Sequence, residues 1–387
     1  MILRLLRRLL ATSALAGAAL VPAAVHAQGE PIRIGAVLST TGPVGFIGDP
    51  QLKTLELHVK RLNEAGGVLG RRIALTVYDD QSDPNNANTF AKRLIESDKV
   101  DVMLGGTVTP LALAMVPHAE RAGVPFVATG ASLALVDPVK KWVFKTPHSD
   151  RMVAERILQD MKERGIARIA MLSETSGFGQ SGRKEILAAA ERFGIKVLGE
   201  ETFGPKDTDV TPQFTKLRNL QDAQAMLVFC GAGSSPAVAI RNYAQMGMKL
   251  PVYMPHAAVN KEFIKLGGAV TEGVRMPTTG FVVPEALPDG DPQKKPSLDY
   301  YRTFKEAYSV DASPFGGNIA DALAIAVDGI RRAGTTDKAK VRDAIEATSG
   351  LVGMNGIFTM SPKDHNGLRT DSLRMIEVRN AHFVLVK

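Results

Sequence analysis

Apolar and polar positions along this chain follow a repeated beat: a short apolar run, a polar loop, then an amphipathic stretch. Residues 32–38 are nearly all apolar and predict a buried strand. Leu52, Leu55, Val59 and Leu62 share one face and predict a helix, opened by Asp49-Pro50 and reaching about Asn63. Residues 73–78 alternate as a strand ending at Asp79-Asp80, and Asp83-Pro84 caps the next helix. Apolar runs at 102–104 and 125–128 flank a helical stretch that Pro110 opens and Gly123 stops. The beat restarts near Lys145. A short strand at 142–145 precedes a helix capped by Asp150, then a strand at 168–172, a helix to Phe193 and a strand at 195–202. Further strands are expected at 225–229 and 252–254, with helices around Phe214 and after Pro236, and Asn260 caps a short helix. This pattern predicts two α/β units with mostly parallel sheets. Beyond about residue 270 helices are expected over 296–308, 317–332 and 338–348, with short strands near Phe358 and at 373–378 and 382–386. That stretch is too small for a third domain, so it is expected to be shared between the two units.

Parallel strands bring their carboxyl ends to one edge, where candidate chemistry collects. The strand at 102–104 ends in Gly105-Gly106-Thr107-Val108-Thr109, and the strand at 125–128 ends in Thr129-Gly130-Ala131-Ser132. Thr109 stands where an N-cap is expected and Pro110 at the first helical position. Unpaired N–H groups in a first helical turn suit an anion, glycines let a ligand approach the backbone, and small hydroxyls add donors. The two loops together read as a seat for a small carboxylate. The plainer alternative is that Thr109 caps its own helix and Ser132 makes a turn.

Composition adds compartment and removes several function classes. The chain has 387 residues, 45% of them hydrophobic and 22% charged, enough for about two domains. Arg4, Arg7 and Arg8 precede an apolar run, and Val25-His26-Ala27 is a small-x-small pattern. Residues 1–27 therefore read as a secretory signal peptide cut after Ala27. Without those three arginines the formal charge falls from +7 to +4, a solubility term and not a nucleic-acid footprint. One cysteine, Cys230, excludes an intrachain disulfide and thiol–metal motifs.

The strongest rival motif is Gly177-Phe178-Gly179-Gln180-Ser181-Gly182, a literal G-x-G-x-x-G between strand and helix, with Glu200 or Glu201 ending the next strand. Against a dinucleotide site, residues 173–176 separate the expected strand end from Gly177, where the fingerprint needs a tight turn. Export also takes the chain away from the cytoplasmic nicotinamide pool. The seven histidines form no HExxH or other close ligand pair. There is no G-x-S-x-G elbow and no GxxxxGK[ST]. Asp79-Asp80 and Asp83 read as turn and capping acids. No enzyme, metal or cofactor is expected, although an exported nucleotide-dependent enzyme remains a third alternative.

Several patterns carry a resemblance. Gly42-Pro43 with Gly48-Asp49 is one. Asn63-x-x-Gly66-Gly67-Val68-x-Gly70, running on to Tyr78-Asp79-Asp80-x-x-Asp83-Pro84, is another. With the 104–132 stretch and Phe178-Gly179, they make essentially the whole mature chain resemble the periplasmic solute-binding proteins of ABC importers, in the Leu/Ile/Val-binding group. The resemblance implies a type I periplasmic binding protein fold: α/β, two Rossmann-like lobes joined by three crossovers, here near 145–148, 276–278 and 356–359. Lobe 1 would hold 28–146 and 278–357, and lobe 2 would hold 147–277 and 358–387. Closure of the lobes would bury the ligand and be read by permease subunits in the inner membrane. A monomer in the periplasm is implied, with no nucleic-acid partner.

Family roles carry over where residues match. Thr109 and Ser132 stand where hydroxyls hold the ligand carboxylate, and Gly130 and Ala131 where backbone meets the ligand. Phe178 stands at an aromatic wall position, and Ile47 at a position that lines the pocket. Two departures change the expected ligand. Where amino-acid binders carry a glutamate for the ligand ammonium, this chain has His256. The loop at 231–235 also lacks the aromatic often found there. A buried ammonium without a counter-charge is costly. An aromatic or other organic acid is therefore the first expectation and a branched-chain amino acid the second. A ligand sensor signalling to a membrane receptor is a further alternative on the same fold.

Overall fold

The computed structural model describes residues 29–386, so the stretch read as a signal peptide lies outside the described residues. The first unit runs β1 (Ile32–Leu38), α1 (Gly45–Glu64), β2 (Ile73–Asp79), α2 (Pro84–Glu96), β3 (Val102–Gly105), α3 (Thr109–Ala122), β4 (Phe126–Ala128) and β5 (Val143–Lys145). The second runs α4 (Asp150–Glu163), β6 (Arg168–Glu174), α5 (Gly177–Ala189), β7 (Lys196–Phe203), α6 (Thr211–Arg218), β8 (Ala225–Phe229), α7 (Ser235–Gln245), β9 (Val252–Tyr253), α8 (Lys261–Gly267) and β10 (Arg275–Thr279). Then follow α9 (Lys294–Tyr308), α10 (Pro314–Ala333), α11 (Lys338–Glu346), β11 (Leu351–Val352), β12 (Ile357–Phe358), β13 (Leu373–Arg379) and β14 (His382–Leu385).

Two sheets organise the molecule. One has strand order β2-β1-β3-β4-β5, all parallel. The other has order β14-β13-β10-β9-β8-β6-β7, parallel except where β13 pairs antiparallel with β10 and β14. Every residue of β3, β4, β5 and β8 is buried, as expected of parallel strands covered by helices on both faces. The α/β reading of two lobes holds.

The last third is divided between the lobes, and the divisions fall later than the sequence suggests. The expected boundary at 277–278 cuts through β10, which pairs with β13 from Arg275 to Thr279 and so belongs wholly to the second sheet. The boundary at 357–358 falls inside the β11–β12 hairpin. Phe358, Met360 and Leu368 all pack into the first lobe's core beside Ile319, Leu323 and Ile330 of α10, so the chain leaves that lobe only after Leu368. Helix α1 also starts earlier than Asp49-Pro50 implies. It begins at Gly45 and carries Pro50 in its second turn, where the missing amide breaks few helical bonds.

Candidate functional site

The two sheets turn their carboxyl edges toward each other, and the candidate residues sit on the loops between. After β3, Gly105 and Gly106 take left-handed backbone (φ 108° and 68°), and a Cβ on Gly105 would stand 2.3 Å from the Val37 carbonyl oxygen. Thr107 is absorbed by the scaffold: its Oγ1 accepts from Ser39 N at 3.0 Å and donates to Gln51 Oε1 at 3.0 Å. Thr109 is not the N-cap. Val108 occupies that position with extended backbone and no side-chain cap, and Thr109 begins the helix itself. Its hydroxyl is therefore free of its own helix and instead accepts from Ser132 N at 3.2 Å, joining the two loops. Ser132 does make the turn that the plainer reading assigned to it: its Oγ accepts from Ala134 N at 3.2 Å. Gly130 lies so close to the first turn of α3 that a Cβ would stand 3.2 Å from Thr109 Cα.

The second lobe meets these loops through α5. Ser176 caps α5 by accepting from Gly179 N, and its hydroxyl donates to Glu174, whose Oε2 also accepts from Gly231 N at 3.1 Å. That buried carboxylate ties the loop after β6 to the loop after β8. Phe178 projects from the first turn of α5. Its ring centroid lies 5.2 Å from Phe229 and 5.7 Å from His256, edge-on to the latter. Ala131 of the first lobe packs against this second-lobe cluster, and a Cβ on Gly177 would lie 3.7 Å from Thr109 Cγ2. The lobes are thus closed over the cleft. At its mouth, Lys261 of α8 reaches Asp311 at 2.6 Å, and Lys305 of α9 joins from the other side of Asp311 at 3.1 Å.

His256 follows β9 in a short turn, half-buried, with its Nδ1 out of solvent and without a hydrogen-bond partner among the described residues. Burial, with the Lys145 charge nearby, pulls its pKa down to about 3, so the imidazole is neutral at physiological pH. Ile47 is buried on the first turns of α1 and lies outside the Phe178 cluster. Thr109, Gly130, Ala131, Ser132, Phe178 and His256 converge, while Ile47 stands apart on the first-lobe wall.

The nucleotide reading loses its local support. β6 runs to Glu174, so only Thr175 and Ser176 separate it from α5, and the spacing objection does not stand. What counts against that reading is occupancy. Glu200 is taken by Arg183 through two hydrogen bonds, Glu201 by Lys216, and Gly177 faces Thr109 of the other lobe.

Comparison with known proteins agrees with the two-lobed fold. A family model described as periplasmic binding protein matches residues 31–382. The chain belongs to the periplasmic binding protein family. A Pseudomonas aeruginosa relative, a leucine-, isoleucine-, valine-, threonine- and alanine-binding protein, is 26% identical over 349 residues, covering 89% of this chain and 88% of that one. An extracellular ligand-binding receptor from Rhodopseudomonas palustris HaA2 superposes with a TM-score of 0.85 at 29% identity, over 92% of this chain and 99% of that one. At 18% identity, a solute-binding protein of an ABC transporter from Rhodopseudomonas palustris BisB5, solved with 3,4-dihydroxybenzoic acid, shares the fold with a TM-score of 0.77, over 92% of this chain and 96% of that one. As a periplasmic binding protein it works outside the cytoplasm.

The binding protein also holds a buried polar cluster that motif reading passes over. Lys145 ends β5 fully buried. Its Nζ donates to the Pro147 carbonyl and lies 3.5 Å from Asn366 Oδ1, while Asn366 Nδ2 donates back to the Lys145 and Pro147 carbonyls. The first and third passages between the lobes are thereby stitched together, and burial lowers the Lys145 pKa. His148 Nε2 lies 2.6 Å from Ser372 Oγ, with its pKa pushed down by burial. Asp150, expected as a cap, leaves that task to Ser149, and burial raises its carboxyl pKa. The available signal was a lysine and an aspartate five residues apart at the end of an apolar strand. Among the described residues, no group of three or more His, Cys, Asp or Glu could hold a metal ion.

Proposed function

We propose that this protein captures a small carboxylate between its closing lobes and hands it to the permease subunits of an ABC importer in the inner membrane. The leading ligand class is an aromatic or other organic acid without an ammonium group. In this reading Thr109 and Ser132 hold the carboxylate, Gly130 and Ala131 present backbone to it, and Phe178 and Ile47 wall the pocket. His256 offers a neutral imidazole to a second oxygen or a ring hydroxyl. The observation that carries the reading is His256 itself. A neutral ring edge-on to Phe178 stands where an amino-acid binder needs a carboxylate. The BisB5 protein, of the same fold, holds an aromatic carboxylate, so the architecture accommodates one. The protein acts as a binder and catalyses nothing, as a monomer, after removal of residues 1–27.

A branched-chain amino acid is the second reading. The Pseudomonas relative's specificity and the buried Asp150 carboxyl favour it. A thermal-shift screen of the mature protein separates the two, with leucine, isoleucine and valine against benzoate and hydroxybenzoates, and NAD as control. A ligand at about 100 times its Kd adds roughly 2.7 kcal/mol, a shift of several degrees. A shift with aromatic acids and none with leucine is expected. Thr109→Ala with Ser132→Ala should abolish it, and unchanged affinity in that double variant would refute the carboxylate seat. A shift with leucine would show that the ammonium has found another acid.

A further inference from the structure

Among the described residues, Asp150 is the one acidic side chain that hydrogen-bonds the loop at Ser132–Leu133. It opens α4 of the second lobe, yet its Oδ2 accepts from Leu133 N of the first lobe at 3.3 Å. The hydroxyls of Ser132 and of Ser181 lie against the same carboxyl from opposite lobes. Ser181 stands three residues after Phe178 on α5, on the same helical face. The other oxygen, Oδ1, is buried and has no partner among the described residues. Asp150 is fully buried and makes no ion pair within 4 Å among the described residues. The neighbouring cation, Lys145, is engaged by Pro147 and Asn366, and Arg151 points away to Asp137 and Glu185. An orphaned carboxyl oxygen inside a closed cleft marks a place where a ligand group completes the hydrogen bonding.

We propose that Asp150 is a specificity-determining residue that binds the ligand through Oδ1 as a carboxylic acid, donating its proton to a bare carboxylate seated at Thr109 and Ser132. This rests on the organic-acid reading above. Two carboxylates sharing one buried site cannot both ionise, so binding of the anion draws one proton from solvent onto Asp150. No covalent bond is made or broken. The surrounding charges permit it. Lys145, from the end of β5, supplies the compensating cation and itself feels Asp364. His148, from the first passage between lobes, and His256, from the loop after β9, are kept neutral by burial. Burial alone already favours the protonated form of Asp150. A ligand ammonium would demand the opposite state, an ionised Asp150, so this one residue sorts bare acids from amino acids.

The test is isothermal titration of the mature protein with benzoate and 3,4-dihydroxybenzoate from pH 5.5 to 8.5, in pairs of buffers that differ in ionisation heat. For the wild-type protein, affinity should fall about tenfold per pH unit once Asp150 starts to lose its proton, with uptake approaching one proton per ligand there. The amide of D150N donates at every pH, so its profile should keep only the fall that comes from Lys145 losing its charge, should lie shallower than that of the wild type and should cross it, with D150N binding more tightly at pH 8.5. A purely structural residue would give no such gain. Should D150N fold poorly, Lys145→Met carries the test, since proton uptake by that variant can no longer come from Lys145; uptake there is expected, and its absence overturns the proton role. Binding without uptake, or with the same pH profile in both proteins, overturns the proton role and leaves the organic-acid reading standing. Leucine binding that D150N abolishes overturns both, and so does failure of every carboxylate to bind.

Discussion

Gly182 offers a direct test of how the second lobe's packing sets the pocket wall. A Cβ at this position on α5 would stand 1.9 Å from Cε1, 2.1 Å from Cζ and 2.3 Å from Cδ1 of Phe229. Carbon atoms rest about 3.5–4.0 Å apart, so in Gly182→Ala the ring must retreat by about 1.5 Å. It has nowhere free to go. Phe229 is fully buried, and Phe178 lies against it, with His256 beyond. Overpacking of this kind costs about 1–3 kcal/mol, and three short contacts on one rigid ring place the cost at the upper end. Replacing a helical glycine by alanine returns about 1 kcal/mol. The net loss is about 2 kcal/mol, or roughly 4–8 °C in Tm for a unit of lobe size. Gly177→Ala is the control, since its Cβ meets only Thr109 Cγ2, at an ordinary 3.7 Å. Scanning calorimetry of both ligand-free variants reads the difference, and titration with whichever ligand the thermal-shift screen returns reads the displacement of Phe178 as weaker affinity in Gly182→Ala. Equal Tm values for the two variants would refute the packing argument.

Two further outcomes are expected. Of the exposed Lys261–Asp311–Lys305 group only the Lys261–Asp311 pair joins the two lobes, so it contributes about 0.2–1 kcal/mol to the closed form. Lys261→Ala should speed ligand release about 1.5- to 5-fold in low salt by stopped-flow fluorescence. The difference should vanish at about 1 M salt, and persistence there would contradict a charge latch. His58 and His256 are held neutral by burial, with pKa values near 4 and 3. The unfolded chain takes up those protons below about pH 6.5 and the folded chain does not. Their contribution to stability is therefore fully present above that pH and lost as pH falls toward 4 and 3. Tm should drop between pH 7 and 5, and His256→Gln should flatten the slope; an unchanged slope would mean that His256 charges in the folded state.

The fold was legible where one physical rule acted alone. Fully apolar runs such as those of β3 and β8 can only be buried strands, and Asp83-Pro84 caps α2 as its spacing implies, with Asp83 accepting from Asn85 N. Errors arose where two rules competed. Asp49-Pro50 has the form of a helix start, but Gly48 sits so close to the Ser39 carbonyl that the helix must already have begun. β10 contains Pro277, a residue that normally argues against an interior strand, so the sequence reads as a crossover near 276–278, yet the segment pairs with β13 from Arg275 to Thr279. At the site, Thr109 and Phe178 could be placed from motif and helix phase. Lys145 and Asp150 could not, because a charged residue in one dimension looks like surface. Only the third passage of the chain, which brings Asn366 back to Lys145, shows that this corner is closed to water.

The interleaving of the chain between lobes also governs when the protein can fold. The first lobe's core includes Ile330, Val341, Phe358 and Leu368 alongside Ile32 and Ile34. The second lobe's core waits for Ile376 and Val378. Neither lobe can close its core until nearly the whole chain has been made, and the contacts that complete them join residues separated by most of the sequence, which makes folding slow. During synthesis the polypeptide therefore remains without a finished domain to jam a translocation channel. The same interleaving that ties the two cores together keeps the chain threadable until it has reached the compartment where it works.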